Sequence, residues 1–407
     1  MIPPQPEESF YSRWKTLNNW LIKHRLIWQP APFMEPRPAW LEKYPELARL
    51  VEKLTDDECT DLEEEPAKLA ELASQFLPDL ALYSPIVDLP ELAPASSDVV
   101  AATLPEAKAT DMPGRKREQA GAFTAALEPL QHAILDWCCG KGHLARTLFT
   151  QSRKDVVGYE WNSELVAEGN RIAERFGDAV RISCQDVMAR DVHVPEKTHA
   201  VALHACGDLH RQLLVQGVAA DVPRLSLSPC CYHKPGKGAY KALSKGASIH
   251  EPALVLDRND LRLAVRETVT APAGVREQTK TLSQWRLGFD GLQRMLRGVD
   301  QYLPVPSYPP GRIQEGFPAF CHWAANKKQL FLPENTHFEF WLEHGQQRQR
   351  EVYRHELVRH VFRRPLELWL VLDYAVFLEE QGYSVRFGHF CPRALTPRNL
   401  MLDATKK

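Results

Sequence analysis

Five residues, Asp136, Gly140, Gly142, Glu160 and Asp186, carry the first chemistry visible in this sequence. Asp136 lies in a short apolar run, Ile134-Leu-Asp-Trp-Cys-Cys-Gly-Lys-Gly-His, and the two glycines follow it closely. Glycine there lets the backbone pass close to a ligand. His143 to Phe149 then has helical spacing, so the amides of its first turn face the same ligand. Dinucleotides and nucleoside-sulfonium ligands are both held this way, and Cys138 stands where the first glycine of the dinucleotide pattern would be. Glu160 closes the next apolar run, Val156-Val-Gly-Tyr, about 20 residues past the glycines, where a carboxylate can accept both hydroxyls of a ribose. Asp186 closes a third run, Val180-Arg-Ile-Ser-Cys-Gln, and can accept from an adenine amino group. Asp136 and the glycine turn are left to face the amino-acid half of a sulfonium ligand.

Two further runs end in reactive types. Ala200-Val-Ala-Leu leads to His204-Ala-Cys-Gly-Asp, and Arg224-Leu-Ser-Leu leads to Ser228-Pro-Cys-Cys-Tyr-His-Lys234. The second occupies the place where amino-methylating enzymes carry an Asn/Asp-Pro-Pro-aromatic loop. Tyr232 would stack on an acceptor, and the Ser228 hydroxyl or backbone carbonyls would accept from its amine. Pro229, Cys230, Cys231 and His233 complete the candidate catalytic loop, while His204 and Cys138 join the cofactor edge. A thiol nucleophile, Cys230 or Cys231, attacking a pyrimidine ring is an alternative chemistry. Cys138, Cys139, His143, His204, Cys206, His210, Cys230, Cys231 and His233 invite a zinc hypothesis. No cysteine pair has C-x₂-C spacing, buried thiols often only pack, and methyl transfer from a sulfonium needs no metal, so none is expected. Between Gln346 and Arg364 lies the most basic stretch, with Arg350 and Arg354; it would follow a phosphate backbone or form a solvated helix face of i,i+4 pairs.

The elements that must position these residues alternate strand and helix. Such a rhythm implies an α/β fold with a parallel sheet and a ligand at the carboxyl ends of its strands. Before it, residues 1–83 read as helical, with Phe10, Trp14, Leu17 and Leu21 near one face and an acidic stretch, Asp56 to Glu65, read as a solvated connection. Residues 84–114 are rich in Pro and Ala and read as a linker or extended packing arm. The domain itself spans 115–407, with a helical insertion at about 235–350. One long helix, Val352 to Gln381, leads to two final strands, Tyr383 to Phe390 and Asn399 to Asp403.

Composition is consistent with this. The chain has 407 residues, 44% apolar and 25% charged, ample for a core in a soluble protein. A net charge of −2 makes no global case for nucleic acid, so any such case is local. The N-terminus lacks the pattern of a signal peptide, and the longest apolar run, Leu366 to Leu378, is too short for a membrane span. Nine cysteines without a disulfide-framework pattern suit a reducing, cytoplasmic setting.

Three motifs, Asp136-Trp-Cys-Cys-Gly-Lys-Gly-His-Leu144, Leu203-His-Ala-Cys-Gly-Asp-Leu209 and Pro229-Cys-Cys-Tyr232, together resemble a branch of SAM-dependent methyltransferase domains. That branch includes the methyltransferase part of the glutathione S-transferase C-terminal domain-containing protein and the methyltransferase-like protein 25 group. It is more distantly similar to tRNA 2′-O-methyltransferases with a Cys-Cys-His loop. Met112-Pro-Gly-Arg-Lys116 resembles a Met-Ser-x-Lys-Lys element of the branch, and Thr396-Pro-Arg-Asn399 resembles its final hairpin. The resemblance covers about residues 110–235 and 365–405. It implies a Rossmann-like seven-stranded fold with S-adenosylmethionine (SAM) at Asp136, Gly140, Gly142, Glu160 and Asp186. An RNA methyltransferase, acting on a base amine or ribose hydroxyl of tRNA or rRNA, is the leading expectation. Lys116, Lys234, Arg350 and Arg354 would contact that RNA; neither DNA nor a membrane is expected as a partner. A protein or small-molecule methyltransferase, and a SAM-binding interaction module without catalysis, are the alternatives.

Overall fold

A computed structural model describes residues 9–92, 95–233, 238–266 and 273–407. Lys234, expected to contact substrate, lies outside the described residues. Seven strands form one sheet: β1 (Ala133–Trp137), β2 (Val156–Glu160), β3 (Val180–Cys184), β4 (Thr198–Leu203), β5 (Arg224–Ser228), β6 (Tyr383–His389) and β7 (Leu400–Lys406). Their order is β3-β2-β1-β4-β5-β7-β6. β1 to β5 are parallel, whereas β7 runs antiparallel between β5 and β6. The expected α/β, Rossmann-like, seven-stranded architecture is thus present. The strand order reverses between β1 and β4, where open α/β sheets bind ligands beyond their carboxyl ends.

The chain divides into two compact units. The first comprises Met1–Leu21, Val87–Arg266 and Arg364–Lys407 and contains the sheet. On one of its faces Phe123, Leu127, Ile134, Leu148, Val201, Phe390 and Met401 share a buried cluster with Leu104 and Met112. The Pro/Ala-rich stretch therefore packs, as the extended arm does in the second of its two readings, and Ser96–Ala102 within it is a helix. Trp14 lies 5.5 Å from Trp369, ring to ring, and the Trp369 indole donates to the Asn18 side chain at 3.1 Å. Across the sheet edge, Asp403 of β7 accepts from Arg224 Nε (2.8 Å), Ser226 Oγ (2.6 Å) and Arg386 Nε (3.0 Å), joining β5, β7 and β6.

The second unit, Ile22–Ile86 with Glu267–Arg363, is helical among its described residues. Its long helices, Ala273–Arg297 and Phe338–His360, cross where Gly288 meets Gly345; a Cβ on Gly345 would lie 2.7 Å from the Gly288 nitrogen. Phe289, Leu292, Phe317, Phe320 and Ala324 form a core there. The acidic stretch is not a solvated connection but the helix Asp56–Glu64. Thr55 and Glu58 close a capping box at its start, the Thr55 amide donating to Glu58 at 2.8 Å and the Glu58 amide to Thr55 at 3.2 Å. The long helix expected from Val352 to Gln381 is also corrected: Phe338–His360 ends and Arg363–Glu380 begins anew. Pro365 accounts for the break, because it has no amide hydrogen to donate and its ring crowds the carbonyl four residues earlier.

Candidate active site

The strand ends place the predicted residues along one edge of the first unit. After β1, Cys138 takes a left-handed φ of 60°, and Gly140 (56°) and Gly142 (70°) follow in the same region. A cysteine thus fills the first turn position, and the glycines complete a bend few other residues tolerate. A Cβ on Gly140 would meet nothing within 4 Å, so the turn has open space above it. The helix His143–Ser152 then starts at Gly142 without a side-chain cap, leaving first-turn amides for an incoming ligand. The Cys139 amide donates to the Tyr159 carbonyl at 3.0 Å, tying the turn to β2.

Asp136 sits beneath this turn with 2% of its surface exposed. Burial, and secondarily the negative Glu160, lift its carboxyl to about 8 against the lowering pull of the Ala145 backbone. Its Oδ2 has no hydrogen-bond partner. A buried, orphaned carboxylate oxygen is costly, and a cationic ammonium is the group that would satisfy it. Glu160 ends β2 and accepts from the Gly140 amide through Oε2 (3.1 Å) and the Asn162 amide through Oε1 (3.0 Å). Asn162 caps the next helix, Ser163–Phe176, as its side-chain oxygen accepts from the Glu164 amide at 2.9 Å. Asp186 is exposed beyond β3, where it accepts from the Met188 amide at 2.9 Å. An orphaned acid, an open glycine turn and a carboxylate at the second strand end fit the ammonium, the methionine chain and the ribose of SAM.

The other residues separate into two groups. His204, also at a positive φ of 63°, is hydrogen-bonded through Nε2 to Gln119 Oε1 at 3.1 Å. Burial pushes its imidazole down to about 4, so it is neutral at pH 7. Cys138 is raised to about 12 by burial and by Glu160 and Asp136. Ser228 is buried and donates to the Arg398 carbonyl at 3.1 Å. Pro229 is buried as well. Tyr232, expected to present its ring face to an acceptor, is 7% exposed and meets His210 edge-on at 5.8 Å. Its hydroxyl donates to Glu367 at 3.4 Å. Cys230 donates toward the His204 carbonyl at 3.1 Å, and its thiol is pushed upward by bonding to Cys206 and Cys231 and by burial, which disfavours a thiolate nucleophile.

Lys116 is exposed on the helix Gly114–Ala126 of this unit, whereas Arg350 and Arg354 belong to the second unit. There Arg354 donates to the Leu54 carbonyl at 2.8 Å and to Asp56 at 3.0 Å, while Arg350 is exposed. Sequence reasoning gave no role to Gln119, which orients His204, or to Glu367. Arg364 bonds Glu367 (2.6 Å) and Asn399 (2.7 Å), so the Thr396-Pro-Arg-Asn399 motif buttresses the loop after β5. Beside that loop lies a cavity of about 250 Å³ lined by Tyr232, His233, Arg211, Lys241, Arg258 and Asp208 among others.

Residues 120–236 match the family model described as a methyltransferase domain. No curated protein matches the chain. Among solved structures, a geranyl diphosphate methyltransferase in complex with GPP and sinefungin is similar at 19% identity over 28% of this chain and 46% of that one, TM-score 0.26. A Pyrococcus abyssi tRNA (uracil-54, C5)-methyltransferase in complex with S-adenosyl-L-homocysteine is similar at 19% identity over 28% of this chain and 29% of that one, TM-score 0.25. The 23S rRNA methyltransferase ErmE is similar at 19% identity over 28% of this chain and 46% of that one, TM-score 0.24. The chain spans less than half the length of each. Among the described residues no helix is long and apolar enough to cross a membrane. The matched segment, a methyltransferase domain by the family model, contains β1 to β5 and the glycine turn of the site.

Proposed function

We propose that the chain methylates RNA, a tRNA or rRNA, at a base amine or ribose hydroxyl. The observation that carries the reading is the cavity beside the loop after β5. Three cations, Arg211, Lys241 and Arg258, line it against a single acid, Asp208, and three rings, Tyr232, His233 and Tyr240, line it as well. Enzymes that modify a nucleobase draw it out of its stack into a pocket with aromatic walls, and cations at such a pocket attract the flanking phosphates. SAM, when bound, supplies an electrophilic methyl group. The chain's own residues then have separate tasks. Asp136 takes the ammonium, Glu160 the ribose hydroxyls, and Asp186 the adenine edge. The loop from Ser228 to His233 aligns the acceptor and excludes water, which accounts for much of the rate in a direct displacement. Lys116, exposed in the same unit, extends the contact with phosphate; Arg350, exposed in the second unit, would meet phosphate there on its own account, and Arg354 is already bonded to Leu54 and Asp56.

The test is transfer of label from radioactive SAM into separate pools of tRNA, rRNA, protein and small-molecule extract. Label should enter RNA. Lys241→Glu combined with Arg258→Glu should cut that transfer by more than tenfold and leave SAM affinity within about twofold, because like charge repels phosphate. Label confined to the protein or small-molecule pool overturns the RNA reading in favour of those acceptors.

A further inference from the structure

Cys206, Cys230 and Cys231 come from two different strand ends, and their sulfur atoms all lie within 4.8 Å of one another. Cys206 Sγ and Cys230 Sγ are 3.3 Å apart. The backbone fixes this meeting. Cys206 and Cys231 form a parallel β-bridge beyond β4 and β5, the Gly207 amide donates to the Cys231 carbonyl at 2.5 Å, and the His204 amide donates to the Ser228 carbonyl at 3.0 Å. Two loops are thus held in register just where they deliver three thiols. None of the three is fully exposed, so the cluster is shielded from bulk water without being sealed.

The spacing, 3.3 Å for one pair and no more than 4.8 Å for any, brackets that of a metal's coordination shell. With a metal–sulfur bond of about 2.3 Å, two thiolates on a tetrahedral zinc lie about 3.8 Å apart, and on a trigonal centre about 4.0 Å. Sulfur donors select zinc and monovalent copper over harder cations. We propose that Cys206, Cys230 and Cys231 bind one thiophilic d¹⁰ cation, Zn(II) or Cu(I), through three thiolates. Binding releases the thiol protons to solvent and forms three metal–sulfur bonds; no oxidant or reductant is involved. Among the described residues no His, Asp or Glu joins the group within the same distance. A tetrahedral ion therefore keeps one position for water or a small thiol, the mark of a site that exchanges ligands. The ion would also tie the turn after β4 to the loop after β5, fixing the loop that carries Tyr232.

The experiment uses the full chain, reduced and metal-free, titrated anaerobically with Zn(II) in one arm and Cu(I) in the other against chromophoric competitors. One ion per chain is expected in at least one arm, and the tighter arm names the metal. Cys206→Ser, Cys230→Ser and Cys231→Ser should each weaken binding at least tenfold, whereas Cys184→Ser, an exposed thiol at the end of β3, should not. A measurement on the wild type keeps the idea testable if a variant misfolds: alkylation mapped by mass spectrometry with and without metal. Metal should shield Cys206, Cys230 and Cys231 and leave Cys184 reactive. Sub-stoichiometric binding in both arms, or shielding of other cysteines in place of these three, overturns the site.

Discussion

If Asp136 receives the ammonium of SAM, cofactor affinity must depend on pH. Burial sets its carboxyl at about 8 in the ligand-free chain. At pH 7 roughly one molecule in 11 is then ionised, and at pH 6 roughly one in 100. Only the ionised form offers a charge to the ammonium, so affinity should rise about ninefold from pH 6 to pH 7, with uptake of the ligand releasing close to one proton. The ligand's own α-amino group stays protonated across this window. His204, at about 4, lies below it. Asp136→Asn keeps an acceptor for the Ala145 amide but cannot ionise. It forgoes a charged hydrogen bond of about 1.5–3 kcal/mol, less the roughly 1.4 kcal/mol spent ionising Asp136 at pH 7. The variant should therefore bind up to about 15-fold more weakly at pH 7 and lose the pH slope. Calorimetry in two buffers of different ionisation enthalpy measures both affinity and proton release. A wild-type affinity that is flat between pH 6 and pH 7, or a slope that survives in Asp136→Asn, refutes the assignment.

Two other outcomes follow from packing and charge. A Cβ on Gly169 would come within 2.8 Å of the Lys141 carbonyl oxygen and also strike Ile182; Gly169→Ala should cost about 1–3 kcal/mol by overpacking and weaken SAM several-fold by displacing the glycine turn, read by thermal melting and equilibrium dialysis. Asp403→Asn leaves the buried Arg224 guanidinium without its counter-charge and should cost about 3–5 kcal/mol in urea denaturation at pH 7. Arg224, Ser226 and Arg386 overcome the opposing effect of burial and hold the Asp403 carboxyl at about 2, below its ordinary value. Its stabilisation is therefore complete above about pH 4 and fades as pH falls toward 2, so the gap between wild type and variant should narrow over that range.

Much of the sheet was legible because the parallel strands are short, largely apolar runs with a polar residue at or near their ends, and β1, β4 and β5 are buried along nearly their whole length. Asp136, Glu160 and Ser228 stand at their strand ends for that reason. The neighbours of those residues were harder to see. Tyr232 and Glu367 meet across 135 residues of sequence, and no local period encodes such a pairing. The three thiols were named among nine Cys and His candidates but could not be singled out, for the same cause: Cys206 and Cys230 are 24 positions apart, outside any short ligand spacing, and only the adjacency of β4 and β5 joins them. Two helix boundaries were misread from local signals that were present. Thr55 with Glu58 is a capping box inside an acidic stretch, and Pro365 breaks a continuous apolar pattern. Charge and hydrophobicity masked the stereochemical cue in both.

The place of β7 has a consequence for how the protein is made. β5 is flanked by β4 on one side and by β7 on the other, and Arg224 waits for Asp403, 179 residues further along the chain. At a translation rate of about 5–20 residues per second, the ribosome takes roughly 9–36 s to deliver that partner. Throughout the interval β5 is an unpaired strand edge carrying an uncompensated guanidinium, open to pairing with a neighbouring nascent chain. The β5 edge of the sheet is thus completed by one of the last segments of this sequence to be made, the strand Leu400–Lys406.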